Sequence, residues 1–192
     1  MTHAINQTTA PAIEPVTLDQ AKTHLRVDGT DQDTEITSLI AMARQRVEQE
    51  TERALITQEW ELTLDYWPGV IEVPLPPLQS VQSIQYLDTA GTLQTLDASL
   101  YRVDTARQPG RITPAYGQSW PSVRDVTGTI TVAFTAGYGD DATDVPGPIR
   151  QAMLLLIGTA DCNREMLVIG TIATELQKNY DWLLAPYRLY HL

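Results

Sequence analysis

The hydrophobic pattern of this chain changes period twice, from helical spacing to strand spacing and back, and few architectures accommodate that order. Ile36, Leu39, Ile40, Ala43 and Val47 fall at offsets of three, four, seven and eleven, which is one face of a helix. From Thr57 the spacing becomes two: Trp60, Leu62 and Leu64 alternate with Glu61, Thr63 and Asp65, as in a half-buried strand. Ile149, Ala152, Met153, Leu156, Ile157 and Ala160 then restore the helical period. Helices that enclose a run of short strands are therefore expected.

The boundaries follow from caps and breakers. Residues 1–15, rich in Thr, Ala and Pro and without periodicity, are expected to be a flexible arm. Residues 16–185 are expected to form one domain, with helices 17–28, 33–54, 146–165 and 175–185 around a β insertion at 57–136; residues 186–192 are expected to be an exposed tail. Thr17 opens a capping box with Gln20, and Gly29 is expected to end the first helix. Asp31, Asp33 and Glu35 stand at the start of the second, where the helix dipole favours negative charge; Arg44, Gln45, Glu48, Gln49 and Glu52 read as its wet face. Further strands are predicted at Val70–Val73, Val81–Leu87, Thr92–Leu96, Tyr101–Asp104, Gly110–Thr113 and Thr129–Thr135, with a hairpin turn at Asp88–Gly91. Prolines at 68, 74, 76, 77, 109, 114 and 121 keep these strands short and some of them at edges. Pro146 and Pro148 open the third helix, whose stripe Leu154 and Leu155 widen almost all the way round. A helix that apolar is expected to be buried on two sides, by its own core and by a neighbouring subunit.

Charge narrows the function. Thirteen Lys and Arg against twenty-four Asp and Glu give a net charge of −11, the wrong sign for gripping nucleic acid through its phosphates. A single cysteine, Cys162, excludes an intramolecular disulfide and a cysteine-rich zinc site. The longest apolar stretches, Met153–Ile157 and Met166–Ile169, fall far short of the ~18 to 20 residues of a membrane span. Met1–Ala12 has neither a basic start nor an apolar region, so no signal peptide and no membrane partner are expected.

No motif assembles a catalytic or ligand site. Gly137-x-Gly139-x-x-Ala142 follows a strand like a dinucleotide fingerprint, but Asp140, Asp141 and Asp144 would repel a pyrophosphate, so a strand-to-helix turn is the better reading. Asp28, Asp31, Asp33 and Glu35 lack the glycine of a calcium loop and read as helix-capping charges. His3, His24 and His191 form no pair with metal-ligand spacing. Gly117-x-Ser119-x-Pro121 fails the nucleophile-elbow pattern at its last position, and Cys162 reads as a buried small hydrophobe. Trp60, Trp67, Trp120 and Trp182 are scattered singly without interleaved basic residues, so they read as core and interface filler. No catalytic, metal or cofactor-binding residue is assigned, and no cofactor. A small acidic enzyme or ligand-binding protein would need a convergent polar site between the helices and the β region, and it stands as the alternative from another class.

Three segments together resemble a known family. The first runs from Asp31-x-Asp33 through Ile36, Leu39-Ile40-Ala41, Ala43 and Val47-Glu48 to Thr51-Glu52-Arg53-Ala54-Leu55. The second is Phe134-Thr135-Ala136-Gly137-Tyr138-Gly139, then Val145-Pro146-Gly147-Pro148-Ile149-Arg150-Gln151-Ala152, Leu154-Leu155-Leu156 and Asn163-Arg164-Glu165. The third is Leu183-Leu184-Ala185-Pro186-Tyr187-Arg188. They resemble the head-to-tail connector (adaptor) family of long-tailed phages and phage-derived particles such as gene transfer agents. The family usually has Thr-Gly-Arg where this chain has Thr51-Glu52-Arg53, so Glu52 must accommodate a helix end that glycine would ease.

The resemblance implies an α+β fold, a small α-helical core of about four helices with an inserted antiparallel β region. It further implies a structural virion protein without enzymatic activity, assembled in the bacterial cytoplasm as a dodecameric ring below the portal protein of a DNA-filled head. Such a ring extends the DNA channel and offers its far side to a stopper or tail-terminator protein; a head-completion or tail-terminator protein of the same particle is the nearest alternative. Docking into the portal maps onto Leu183, Leu184, Pro186, Tyr187, Arg188, Leu189 and Tyr190. The apolar third helix supplies an expected subunit interface at Ile149, Met153, Leu155 and Leu156. Asp140, Asp141, Asp144, Glu48 and Glu52 are the candidate acidic lumen or rim, past which DNA slides without specific binding.

Overall fold

Thr17 caps the first helix as its sequence predicts: its hydroxyl accepts the N–H of Gln20, and its own N–H donates to the Gln20 side chain. That helix, α1, spans Leu18–Leu25. The computed structural model describes residues 3–162 and 172–189. The chain divides into two compact units, Ile13–Ile56 with Gly139–Leu192, and Met1–Ala12 with Thr57–Tyr138. The second of these holds the whole β insertion expected at 57–136.

In the helical unit, α1 ends earlier than Gly29. Arg26 takes the left-handed conformation (φ 57°) and its N–H, with that of Val27, returns to the carbonyls of Lys22 and Thr23. Helix α2, Asp33–Thr51, buries Ile36, Ile40, Ala43 and Val47 on one face, as its periodicity requires. Its end comes before the expected residue 54, because Glu52 is left-handed (φ 53°) and turns Ala54, Leu55 and Ile56 into the core as extended chain. The left-handed state costs a residue with a Cβ about 1–2 kcal/mol, against roughly 0.5–1 kcal/mol of extra entropy for glycine. Glu52→Gly is therefore expected to raise the unfolding free energy by about 0.5–1 kcal/mol, read from the midpoint of urea denaturation; an unchanged or lower midpoint would show that this turn carries no strain.

Two residues assigned to the wet face of α2 turn inward. Arg44 is 8% exposed; its Nε donates to Glu14 and its NH1 to Glu48, both at 2.8 Å, and Glu48 also accepts the N–H of Leu55. Burial works to lower the Arg44 pKa, but Glu48 and Glu14 outweigh it and hold it above the ordinary value. The helical stripe could not reveal this, because both partners of the arginine reach it from outside the apolar pattern.

Helix α3, Gly147–Cys162, begins behind Pro146 as expected, and its predicted end at 165 lies outside the described residues. Ile149, Ala152, Met153 and Ile157 are fully buried, whereas Leu154, Leu155 and Leu156 are half-buried. Cys162, predicted to be buried, is exposed, because nine residues beyond buried Met153 the helix has turned it to the opposite face. Helix α4, Ile172–Leu184, packs Tyr180 and Leu184 inward and runs into a 3₁₀ turn, Ala185–Tyr187.

The β unit is built around one strand. All seven predicted strands are present: β2 Gln58–Leu64, β3 Ile71–Val73, β4 Leu78–Leu87, β5 Leu93–Thr95, β6 Tyr101–Asp104, β7 Gly110–Pro114 and β8 Ile130–Ala136. Ile130, Val132, Phe134 and Ala136 of β8 are buried in strict alternation, and their register brings Leu62 and Ile84 opposite Val132, Trp60 and Val81 opposite Phe134. The predicted turn at Asp88 forms: its carboxylate accepts the N–H groups of Ala90 and Thr92 and the Gln94 amide, which holds it below the usual carboxylate range. The smaller sheet is ordered β3-β7-β6, and Gly110 of β7 lies so close to Leu78 that an added Cβ would come within 2.8 Å of that residue's own Cβ.

The N-terminal arm is the main correction. Residues His3–Thr9 form a strand, β1, antiparallel to β2, so that the five-stranded sheet is ordered β1-β2-β8-β4-β5. Alternation could not predict it, because a polar strand at a sheet edge is held by its ladder and not by buried side chains. Among the described residues no helix is long and apolar enough to cross a membrane.

Candidate assembly surfaces

The apolar stripe of α3 separates into two parts. Ile149 and Met153, both expected at a subunit interface, are 0% exposed inside the helical unit's own core. Their packing is complete within one chain, so they have no surface to give a neighbour. Leu155 and Leu156 of the expected interface, with Leu154 beside them, keep part of their surface open. A helix of 3.6 residues per turn cannot point five consecutive apolar side chains into one core, and these leucines are the remainder.

Residues 184–188 are held down rather than loose. Leu184, one of the expected docking residues, is 0% exposed and belongs to the core. Arg53 Nε donates to the carbonyl of Tyr187, and Arg188 donates to Asp181 at 2.6 Å and to Glu50 at 3.2 Å, so the turn after α4 is fastened to α2. The hydrogen bond from Arg188 holds the Asp181 carboxyl below its ordinary pKa. A lowered carboxylate pKa stabilises above the unfolded value and is lost as pH falls through the folded one, so this fastening weakens on acidification. Burial and the charge of Glu50 push the Tyr180 hydroxyl up, which keeps it neutral beneath the fastened turn.

Leu183, Tyr187 and Leu189 are half-buried and Pro186 is exposed, while Tyr190 lies outside the described residues. Trp182, read from the sequence as core and interface filler, is 76% exposed and so belongs to no core. Its signal was available: Tyr180 and Leu184 are four apart and point inward, which turns residue 182 to the opposite face.

The acidic candidates also divide. Asp140 and Asp141 are exposed, and so is Glu52. Asp144 is exposed but engaged: its Oδ2 accepts the N–H of Asp141 at 3.0 Å and crowds Gly139, where an added Cβ would lie 2.1 Å from that oxygen. The glycines of 137–142 therefore serve the turn into α3, as the sequence predicted. Glu48 is engaged within its own chain, by Arg44 and the backbone N–H of Leu55.

In the β unit the tryptophans are not single. Trp67 and Trp120 stack with ring centroids 4.6 Å apart and planes at 8°, Tyr86 meets Trp67 edge-on at 6.0 Å, and Trp120 Nε1 donates to the carbonyl of Pro68. The pair lies 53 residues apart in the sequence, so local pattern gave no sign of it.

Comparison with known proteins agrees with this architecture. The sequence model of the phage gp6-like head-tail connector protein family matches residues 15–88. No curated protein matches the sequence. Among solved structures, a chain in the neck of an empty gene transfer agent particle, computed with C6 symmetry, is 24% identical with a TM-score of 0.81, over 98% of this chain and 97% of that one. A chain of the native gene transfer agent virion gives 22% identity and a TM-score of 0.79, over 98% and 96%. One from the native neck, computed with C12 symmetry, gives 24% and 0.79, over 98% and 97%. Residues 15–88 thus carry the pattern of the phage gp6-like head-tail connector family, and the chain as a whole has an α+β fold shared with proteins of gene transfer agent particles.

Proposed function

We propose that this protein is a structural head-tail adaptor: a non-enzymatic ring subunit, dodecameric in the assembled particle, that joins the portal protein to a stopper or tail-terminator protein and continues the DNA channel. The observation that carries this reading is the full-length match in fold to chains of gene transfer agent necks, one of them computed with C12 symmetry. The connector pattern of residues 15–88 supports it independently.

The roles then follow the surfaces. Leu155 and Leu156 face the next subunit, in a heterologous contact that closes into a ring. Leu183, Pro186, Tyr187, Leu189 and Tyr190 dock the portal from a base that Arg53 and Arg188 fasten and buried Leu184 anchors, so that little ordering entropy is lost on binding. Asp140, Asp141 and Glu52, repeated around a ring of subunits that each carry −11, present DNA with a surface of its own sign. The protein resides in the virion or phage-like particle and assembles there from the bacterial cytoplasm.

Removal of the gene from a producing strain tests the reading. DNA-filled heads without tails, restored to tailed particles by the intact chain, are the expected result; tailed and functional particles in its absence would overturn the adaptor role.

A further inference from the structure

The edge of the larger sheet shows which segment fits it. Every described side chain from Ala4 to Ala10 is exposed, and Ile5, the largest, is 37% exposed. What fixes β1 is its ladder with β2, running from His3 opposite Leu64 to Thr9 opposite Glu59. Two side-chain pairs set its register, Gln7 with Gln58 and the Thr9 hydroxyl donating to Glu59 at 2.7 Å, and a bulge between Gln7 and Thr9 breaks any slipped alternative. The slot is therefore specific in sequence while its occupant contributes nothing to the core.

Chain connectivity makes the occupant separable. After Thr9 come Ala10, Pro11, Ala12 and Ile13, and the chain is next secured at Glu14, bonded to Arg44, and at buried Pro15 and Val16. Pro11 has no N–H to extend the ladder, so the strand stops and a four-residue hinge follows. An empty slot would leave the seven residues of β2 as an open edge, which proteins avoid.

We infer that β1 is a strap exchanged between adjacent subunits: in the assembled ring, His3–Thr9 of one copy lies on the β2 edge of the next. Each contact of the strand within one chain is remade between chains, so exchange surrenders no buried surface and adds a backbone link at every subunit boundary. This inference rests on the ring proposed above, since only a closed ring fills each slot while each strand leaves.

Cysteine pairing across the ladder tests it. Ala4 and Thr63 are directly opposite and lie away from the core face, so Ala4→Cys with Thr63→Cys, in a Cys162→Ser background, locks β1 to whichever β2 it lies on. The variant is oxidised within purified particles and resolved on non-reducing gels, and the ring is read separately by mass after mild disassembly. A ladder of covalent multimers is expected. A ring that yields only cross-linked monomers, or no cross-link at all, overturns the exchange and leaves the ring reading intact. The absence of any ring, with monomer cross-links alone, removes both.

Discussion

Leu155→Asp is expected to abolish ring assembly while leaving the subunit folded, and Ile149→Asp to prevent folding altogether. The two positions lie on one helix and differ in what surrounds them: Ile149 is 0% exposed within its own chain, whereas Leu155 is half-buried. A carboxylate at 149 would be enclosed without a partner, at a cost of several kcal/mol that is a large part of a domain's stability. At 155 the carboxylate stays wet in the free subunit and meets that cost only when a neighbour covers it. Circular dichroism and sedimentation separate the outcomes. A Leu155→Asp chain that still enters rings would remove this face of α3 from the interface, and Leu156→Asp repeats the test one residue on.

Arg44→Ala is expected to lower the unfolding free energy by about 3 kcal/mol. The substitution leaves Glu14 and Glu48 facing each other with the guanidinium gone, and it strips the second partner from the carboxylate that accepts the Leu55 N–H. Arg44→Lys is expected to recover only part of the loss, because an ammonium cannot divide a planar fork between two carboxylates. Adding Glu14→Gln to Arg44→Ala should return part of it by removing the repulsion. A loss below about 1 kcal/mol in urea denaturation would mean that water screens the group as it does a surface pair.

The legible parts of the fold were those where burial sets the pattern. β8 is flanked on both sides and buries every second residue, so Ile130, Val132, Phe134 and Ala136 announced it. Thr17 and Gln20 announced α1 because a cap is a local hydrogen-bond exchange. β1 went unread because nothing in it is buried, and Arg44 because its partners come from residue 14 and the next helical turn. For the candidate assembly surfaces the sequence pointed to α3 and the C-terminal segment as elements. Which side chains each one leaves open needed the rotation of the helix, which put Leu184 in the core and Trp182 outside it.

Co-sedimentation with the portal protein of the same particle tests the central claim most directly. The full chain is compared with one that ends at Arg188, which keeps the contacts to Asp181 and Glu50, and one that ends at Leu184, which loses them. Stoichiometric binding of the full chain, weakened in the first truncation and lost in the second while both remain folded by circular dichroism, is the result the adaptor role predicts. A full chain that stays in the supernatant while the portal pellets would contradict it.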